Sequence, residues 1–234
     1  MAAESHGSEA RSLCWNCQSD VEGAAFCGSC VKVLPISERG DDFEYFGLSC
    51  PLNIALLDLE RRFHALSRKF HPDFYQSAGT QEKAISLENS AAINRAYRVL
   101  RDPVARAEYV VQLESGAAKQ IPAAPPQDLL MEMFDLQEAL QDYRAHVESG
   151  QDAAELLAQL TAERQRLERR MSGLQDELAE AFSGWDRLAD EQRLEPQKGE
   201  ILARLKRILG ERAYLSAVLE DLTAGLGLPS TMGG

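Results

Sequence analysis

The sequence predicts a mainly α-helical protein: a small cysteine-held knuckle at the N-terminal end, a helical hairpin, and a C-terminal three-helix bundle. Three observations predict this order. Four of the five cysteines fall between positions 14 and 30 as two CxxC pairs. Residues 55–70 and 80–100 repeat apolar side chains at helical spacing on either side of a proline-marked turn. From 128 to 225 the same spacing recurs in long stretches, broken only at Gly150 and at "LEPQKG".

Composition narrows the function classes. The chain has 234 residues, 44% of them hydrophobic, enough for one large domain or two to three small ones, and the composition shifts favour three. Charges interrupt every apolar run, so no stretch offers the roughly 20 apolar residues a membrane span needs. The opening "MAAESHGSEAR" has neither the apolar core of a signal peptide nor the acid-poor, arginine-rich character of a transit peptide. The expected location is therefore the bacterial cytoplasm, with the mitochondrial matrix as the alternative for a processed eukaryotic chain. Net charge is −12, and the surplus of Asp and Glu lies mainly in residues 125–225. Phosphate binding needs a basic footprint, so this distribution argues against nucleic acid and for protein partners. Residues 1–12 and 226–234 are expected to be disordered tails.

The segment 13–37 carries "CWNCQSDVEGAAFCGSC". Each CxxC sets two thiolates on one tight turn, and two such turns facing each other make the closed tetrahedral shell of a structural zinc ion. Cys14, Cys17, Cys27 and Cys30 are the expected ligands of one Zn2+, and Gly28 is expected to take the bend of the second knuckle. Paired disulfides or a redox CxxC are the competing readings, but nothing marks the chain as secreted and a redox motif would not come doubled. Apart from Trp15, Val21 and Phe26 the segment has little to bury, so metal binding should supply most of its folding free energy. Cys50, without a CxxC mate, reads as an ordinary semi-buried thiol.

Residues 40–115 follow as a second domain. "DDFEYFGLSCPLN" leads in, with Phe43, Tyr45, Phe46 and Leu48 turned toward a core. Over 55–70, Leu56, Leu59, Phe63, Leu66 and Phe70 line one face, and Arg61, Arg62, Ala65, Arg68 and Lys69 the other. Arg68 and Lys69 suit the negative end of the helix dipole, but the density of positive charge equally suits a docking surface. Pro72 lacks an N–H and drives His71 out of helical geometry, so His71-Pro72-Asp73 must form a loop. A second helix runs from Thr80 to Leu100, packing Ile85, Leu87, Ile93, Tyr97 and Leu100 and stopping at "RDP"; "VARAEYVVQLE" completes the unit. His71 and Asp73 lack the pocket and partner that acid–base chemistry requires, whereas an exposed loop suits recognition.

Pro122, Pro125 and Pro126 mark a linker over 116–127. Helices about Asp128 to Glu148, Ala153 to Trp185 and Glu200 to Ala224 then predict an up-down bundle over 128–225. Its stripes are Leu129, Met133, Leu136, Leu140, Tyr143 and Val147; Leu160, Leu167, Met171, Leu174, Leu178, Phe182 and Trp185; and Ile201, Leu205, Ile208, Leu215, Val218 and Leu222. Gly173 and Gly184 are expected to bend or shorten the middle helix. The first helix has apolar residues to spare: Leu130, Met131 and Phe134 lie off its stripe, beside Asp135 and Glu138. They read either as the rim of a wide core or as an adaptable protein-binding patch.

Together "LERRFHALSRKFHPDFY" and "KAISLENSAAINRAYRVLRDPVARAEYVVQL" resemble a J-domain, and the arrangement over residues 13–225 resembles the HscB family of iron–sulfur cluster co-chaperones. The F-x-Y-F-G-L lead-in and the R-A-E-Y exit are similar to the HscB branch specifically. The resemblance implies a protein that is not an enzyme. His71, Pro72 and Asp73 would stimulate the ATPase of a DnaK/HscA-type chaperone, on which Arg61, Arg62, Arg68 and Lys69 would dock. Leu130, Met131, Phe134, Asp135 and Glu138 would contact an IscU-like scaffold. The chain departs from the family pattern in Phe134, where leucine is more usual, and in the bulk of Met133, and only some members carry a zinc knuckle. The rival readings are a general J-domain co-chaperone with other clients and a zinc- or thiol-dependent redox or metal-transfer enzyme.

Overall fold

The computed structural model describes residues 13–21, 25–36, 40–116, 127–190 and 195–228. The expected tail 1–12, most of the expected linker and residues 229–234 lie outside them. The described residues are mainly helical and contain no extended strand, only two isolated antiparallel bridges, Leu13 with Asp20 and Phe26 with Val33. The helices are α1 (Asp42–Tyr45), α2 (Leu56–Phe70), α3 (Thr80–Arg101), α4 (Pro103–Ser115), α5 (Gln127–Ser149), α6 (Ala154–Asp190) and α7 (Glu195–Gly225), with a 3-10 turn at Pro72–Tyr75. They divide between two compact units, residues 1–50 with 54–103, and residues 51–53 with 104–234.

The first unit joins the cysteine knuckle to the α2–α3 hairpin. Asp41 caps α1 by accepting from the Phe43 and Glu44 amides, which turns Phe43 and Phe46 into the core. On α2, Leu59 and Phe70 are buried and Phe63 and Leu66 half-buried, and the Phe63 ring stacks on Tyr97 of α3 at 4.2 Å. Two expected core leucines lie outside. Leu56 occupies the first helical position, one turn before the interface begins at Leu59, and is 54% exposed. Leu87 is 62% exposed because two residues turn a helix through about 200°, away from buried Ile85. The inward positions of α3 include Ser86 and Asn89, polar yet fully buried.

The second unit is built on leucine. Leu160, Leu167, Leu174, Leu178, Phe182 and Trp185 of α6 meet Leu205, Ile208, Leu215, Val218 and Leu222 of α7, all buried, with Leu129, Leu136 and Leu140 of α5. α6 runs unbroken through Gly173 and Gly184 to Asp190, so neither glycine shortens it; at Gly184 the bare backbone lets Ile201 approach to 3.2 Å of where a Cβ would stand. α7 begins at Glu195 rather than Glu200, because a proline in the first turn has no intrahelical N–H partner to forfeit. The α5–α6 turn closes on Gly150, whose φ of 70° lets its own amide reach the Val147 carbonyl and that of Gln151 reach His146. Val147, expected in the core, is 55% exposed. α7 stops at Gly225, where Leu140 and Arg144 of α5 already press on the backbone, so the last turns of α5 have no third helix above them.

α4 also belongs to this unit. Arg106 lies 5.5 Å from the centre of the Phe182 ring, and Lys198 bonds Glu114 at 2.6 Å while resting over Trp185. Asp186 receives the amides of Leu52 and Asn53 at 2.7 and 2.8 Å and the Asn53 side chain at 2.8 Å, which ties residues 51–53 to α6. A chain of ion pairs links the bundle helices: Glu132 of α5 with Arg166 and Arg170 of α6, Arg170 with Glu211 of α7, and Arg207 with Glu211 and Glu177. No described helix is long and apolar enough to cross a membrane.

Candidate functional sites: a cysteine knuckle, a proline-stopped turn and an exposed helix face

The two halves of the knuckle repeat each other thirteen residues apart. Gln18 N–H bonds the Cys14 carbonyl and Val31 N–H the Cys27 carbonyl, both at 2.9 Å; Cys14 N–H bonds Ser19 O, and Cys27 N–H bonds Lys32 O. The left-handed residue of each turn follows the second cysteine: Gln18 has φ 58° and Val31 φ 61°. Gly28 lies in the second turn, as expected, but the left-handed position of that turn is Val31. A β-branched residue at positive φ carries a steric cost, which the surrounding hydrogen bonds and ligand geometry must hold.

All four sulfurs lie within 4.8 Å of one another. The Cys14–Cys30 and Cys17–Cys27 separations are 3.6 and 3.5 Å. A tetrahedral ion with metal–sulfur bonds of about 2.3 Å requires edges of roughly 3.8 Å, so the thiols fit a four-coordinate, thiolate-loving cation with no position left open. The Ser19 hydroxyl lies 3.0 Å from Cys17 Sγ and 3.2 Å from Cys27 Sγ. That hydroxyl, followed by backbone hydrogen bonding, pulls the Cys27 thiol down to about 5, and it also lowers Cys17. Cys30 goes the other way, to about 11: a backbone hydrogen bond at Lys32 lowers it, but burial and the sulfurs of Cys17 and Cys27 raise it further. Thiolates crowded this closely cannot all ionise without a cation among them.

At the far end of α2, His71 leaves helical geometry with φ −63° and ψ 126°. Its Nδ1 accepts the Asp73 amide at 3.3 Å and lies 3.6 Å from the Asp73 carboxylate, and both side chains are exposed. Pro72 opens the 3-10 turn, whose first N–H needs no partner. Tyr75 donates its hydroxyl to the Lys69 carbonyl at 3.0 Å, fastening the turn back on the helix, and burial raises the Tyr75 phenol. Ser67, Arg68, His71, Asp73 and Phe74 line an open depression of about 370 Å3. Phe74, absent from the sequence expectations, is 72% exposed beside it; a large aromatic directly after an exposed proline turn was the available signal. Arg61, Arg62, Arg68 and Lys69 are all exposed, but they are not equivalent. Arg61 pairs with Asp58, and Arg62 donates to the Phe46 carbonyl at 2.6 Å, bracing the α1 turn.

In the second unit, Leu130 is half-buried, Met131 is 71% and Phe134 63% exposed, and Asp135 and Glu138 stand in solvent. Met131 and Asp135 also border a groove of about 590 Å3 between α5 and α6, with Gln159, Glu163 and Arg166 on its opposite wall. The α6 wall escapes sequence reasoning because it depends on how two helices face each other.

No family model matches the chain. Among curated proteins, it is 31% identical to a Vibrio vulnificus co-chaperone protein HscB homolog, the match covering 70% of this chain and 91% of that one. It is 30% identical to the Arabidopsis thaliana iron–sulfur cluster co-chaperone protein HscB homolog over 58% of this chain, a match spanning about half (53%) of that protein's length. Among solved structures, human co-chaperone protein HscB shares its fold, with a TM-score of 0.64 at 18% identity, over 91% of this chain and 98% of that one.

Proposed function

Because this chain belongs to the HscB family of co-chaperones, we propose that it serves iron–sulfur cluster assembly by stimulating the ATPase of a DnaK/HscA-type chaperone and delivering an IscU-like scaffold to it. The observation that carries this reading is the His71-Pro72-Asp73 turn, with His71 and Asp73 exposed, tied back by Tyr75 to the end of an α2 face bearing Arg61, Arg62, Arg68 and Lys69. In this role the chain performs no catalysis. It binds one conformational state of the chaperone better than another and so shifts the partner's equilibrium toward hydrolysis.

The scaffold would rest on Leu130, Met131 and Phe134, with Asp135 and Glu138 setting its orientation by charge. Two exposed apolar side chains beside two carboxylates favour a protein surface over a core rim. Holding scaffold and chaperone on one chain raises the effective concentration of each for the other. In the knuckle, Cys14, Cys17, Cys27 and Cys30 would hold one structural Zn2+, which supplies folding energy and no chemistry. On this reading the protein acts in the bacterial cytoplasm, the mitochondrial matrix being the alternative.

The test is steady-state ATP hydrolysis by a DnaK-type chaperone with the full chain and an IscU-like scaffold added separately and together. The proposal expects stimulation by the chain alone and a further rise with the scaffold. Stimulation that the scaffold leaves unchanged would favour a general J-domain protein, and none at all would overturn the reading.

A further inference from the structure

Three buried polar side chains of the first unit lie on one stripe of α3. Glu82, Ser86 and Asn89 follow at intervals of four and three residues, so they share a helix face. Each grips something outside its own helix. Glu82 binds Lys32 Nζ at 2.7 Å. The Asn89 amide donates to the Leu34 carbonyl at 2.8 Å and its oxygen accepts the Ile36 amide at 3.0 Å. Between these two anchors of the knuckle, the Ser86 hydroxyl donates to the Phe70 carbonyl at 2.9 Å.

Phe70 is the last residue of α2 and directly precedes His71. Its ring is fully buried, and Phe26 of the knuckle stacks parallel to it, with centroids 5.7 Å apart and an interplanar angle of 3°. The knuckle therefore covers the residue that positions the tripeptide and satisfies the buried amide of Asn89. If it lets go, Phe70 loses an aromatic neighbour and Asn89 is left to find water, which opens the end of the hairpin.

The knuckle has little of its own to hold it folded. Its core is Cys14, Val21, Cys27 and Leu34, with Trp15 and Cys30 packed against them. Trp15 closes it with one hydrogen bond to the Val33 carbonyl at 2.8 Å. With so small an apolar core, ion binding at the four thiols and folding of the segment are one event.

The geometry points to the knuckle as a metal-dependent brace: its ion keeps Phe26 and residues 32–36 clamped on Phe70 and α3, and loss of the ion frees the His71-Pro72-Asp73 turn. Phe26 is then a positioning residue that acts through Phe70. The proposal takes what the turn does from the co-chaperone reading, but the mechanical coupling stands apart from it.

Hydrogen exchange of the full chain, read by mass spectrometry over residues 66–76, tests the brace. The samples are protein loaded with Zn2+, the same protein stripped by a chelator, the stripped protein with Zn2+ returned, and the variants Phe26→Ala and Phe26→Leu. Stripping and Phe26→Ala are expected to speed exchange over 66–76 at least about tenfold, with Phe26→Leu between them and wild type. Returning Zn2+ should restore the wild type, and residues 160–185 should stay protected throughout. The brace is overturned if stripping exposes residues 13–36 while 66–76 exchange as before, or if folded Phe26→Ala matches wild type over 66–76. Should Phe26→Ala unfold altogether, the stripped wild type and Phe26→Leu decide by the same criterion. ATPase stimulation measured on the same samples should fall several-fold with protection. If exchange responds as expected but even loaded wild type stimulates nothing, the brace stands and the co-chaperone reading falls.

Discussion

The two units are held together by different means. In the second, leucine stripes on α5, α6 and α7 close over one another, and arginine–glutamate pairs run along their flanks. In the first, a four-cysteine knuckle with a minimal core is fastened to a helical hairpin by polar side chains buried on α3. The difference teaches where each unit is vulnerable. The bundle can lose any one surface contact, because its stability is spread over many burials. The knuckle depends on four sulfurs and a few hydrogen bonds with no surplus apolar area behind them.

The largest contrast is expected from the metal. Cys17→Ser with Cys27→Ser should reduce bound zinc from one equivalent to a negligible fraction by elemental analysis. Near-ultraviolet dichroism from Trp15 should collapse while the helical signal of the bundle persists; bundle melting in step with the metal would break the comparison. Next comes Leu205→Ala. It leaves a cavity in the fully buried α6–α7 interface and should cost about 2–5 kcal/mol in denaturant unfolding of the bundle, with zinc content unchanged.

Asn89→Ala should cost about 1–3 kcal/mol, since it strands the buried Leu34 carbonyl and Ile36 amide, and its effect should appear in the first unit's unfolding only. The smallest effect belongs to Arg204→Ala. Its partner Glu180 is largely in solvent, so the change should stay below about 1 kcal/mol and shrink further in high salt. A larger loss would mean that the flanking ion pairs carry more of the bundle than the leucines do.

The legible part of the molecule was that governed by local rules. Helical periodicity located the long helices, Pro72 stopped α2 at Phe70, and CxxC spacing brought four sulfurs together. Glycine was the misleading letter. Gly28 sits in the second knuckle's turn but leaves its left-handed position to Val31, and Gly173 and Gly184 suggested a bend or an early end to α6, which instead runs on to Asp190. Periodicity alone also overcounted the core: at Leu56 and Val147 it shows which face an apolar residue takes but not whether another element reaches that far along the helix, and Leu87 falls on a different face of α3 from Ile85. The Glu82, Ser86 and Asn89 stripe was hidden for the converse reason: polar residues at inward positions look like surface until the segment that satisfies them is in place. At the α5 face the exposure of Met131 and Phe134 became visible only with the bundle assembled.

In the proposed role, the exposed turn of the first unit acts on a chaperone while the α5 face of the second binds a scaffold. The most direct measurement is chaperone ATPase activity with His71→Gln in the presence of an IscU-like scaffold, alongside scaffold binding by the same variant. Stimulation should fall to the chaperone's basal rate with scaffold affinity unchanged, because His71 is exposed and its loss disturbs no core contact. Stimulation retained by a folded His71→Gln protein would contradict it.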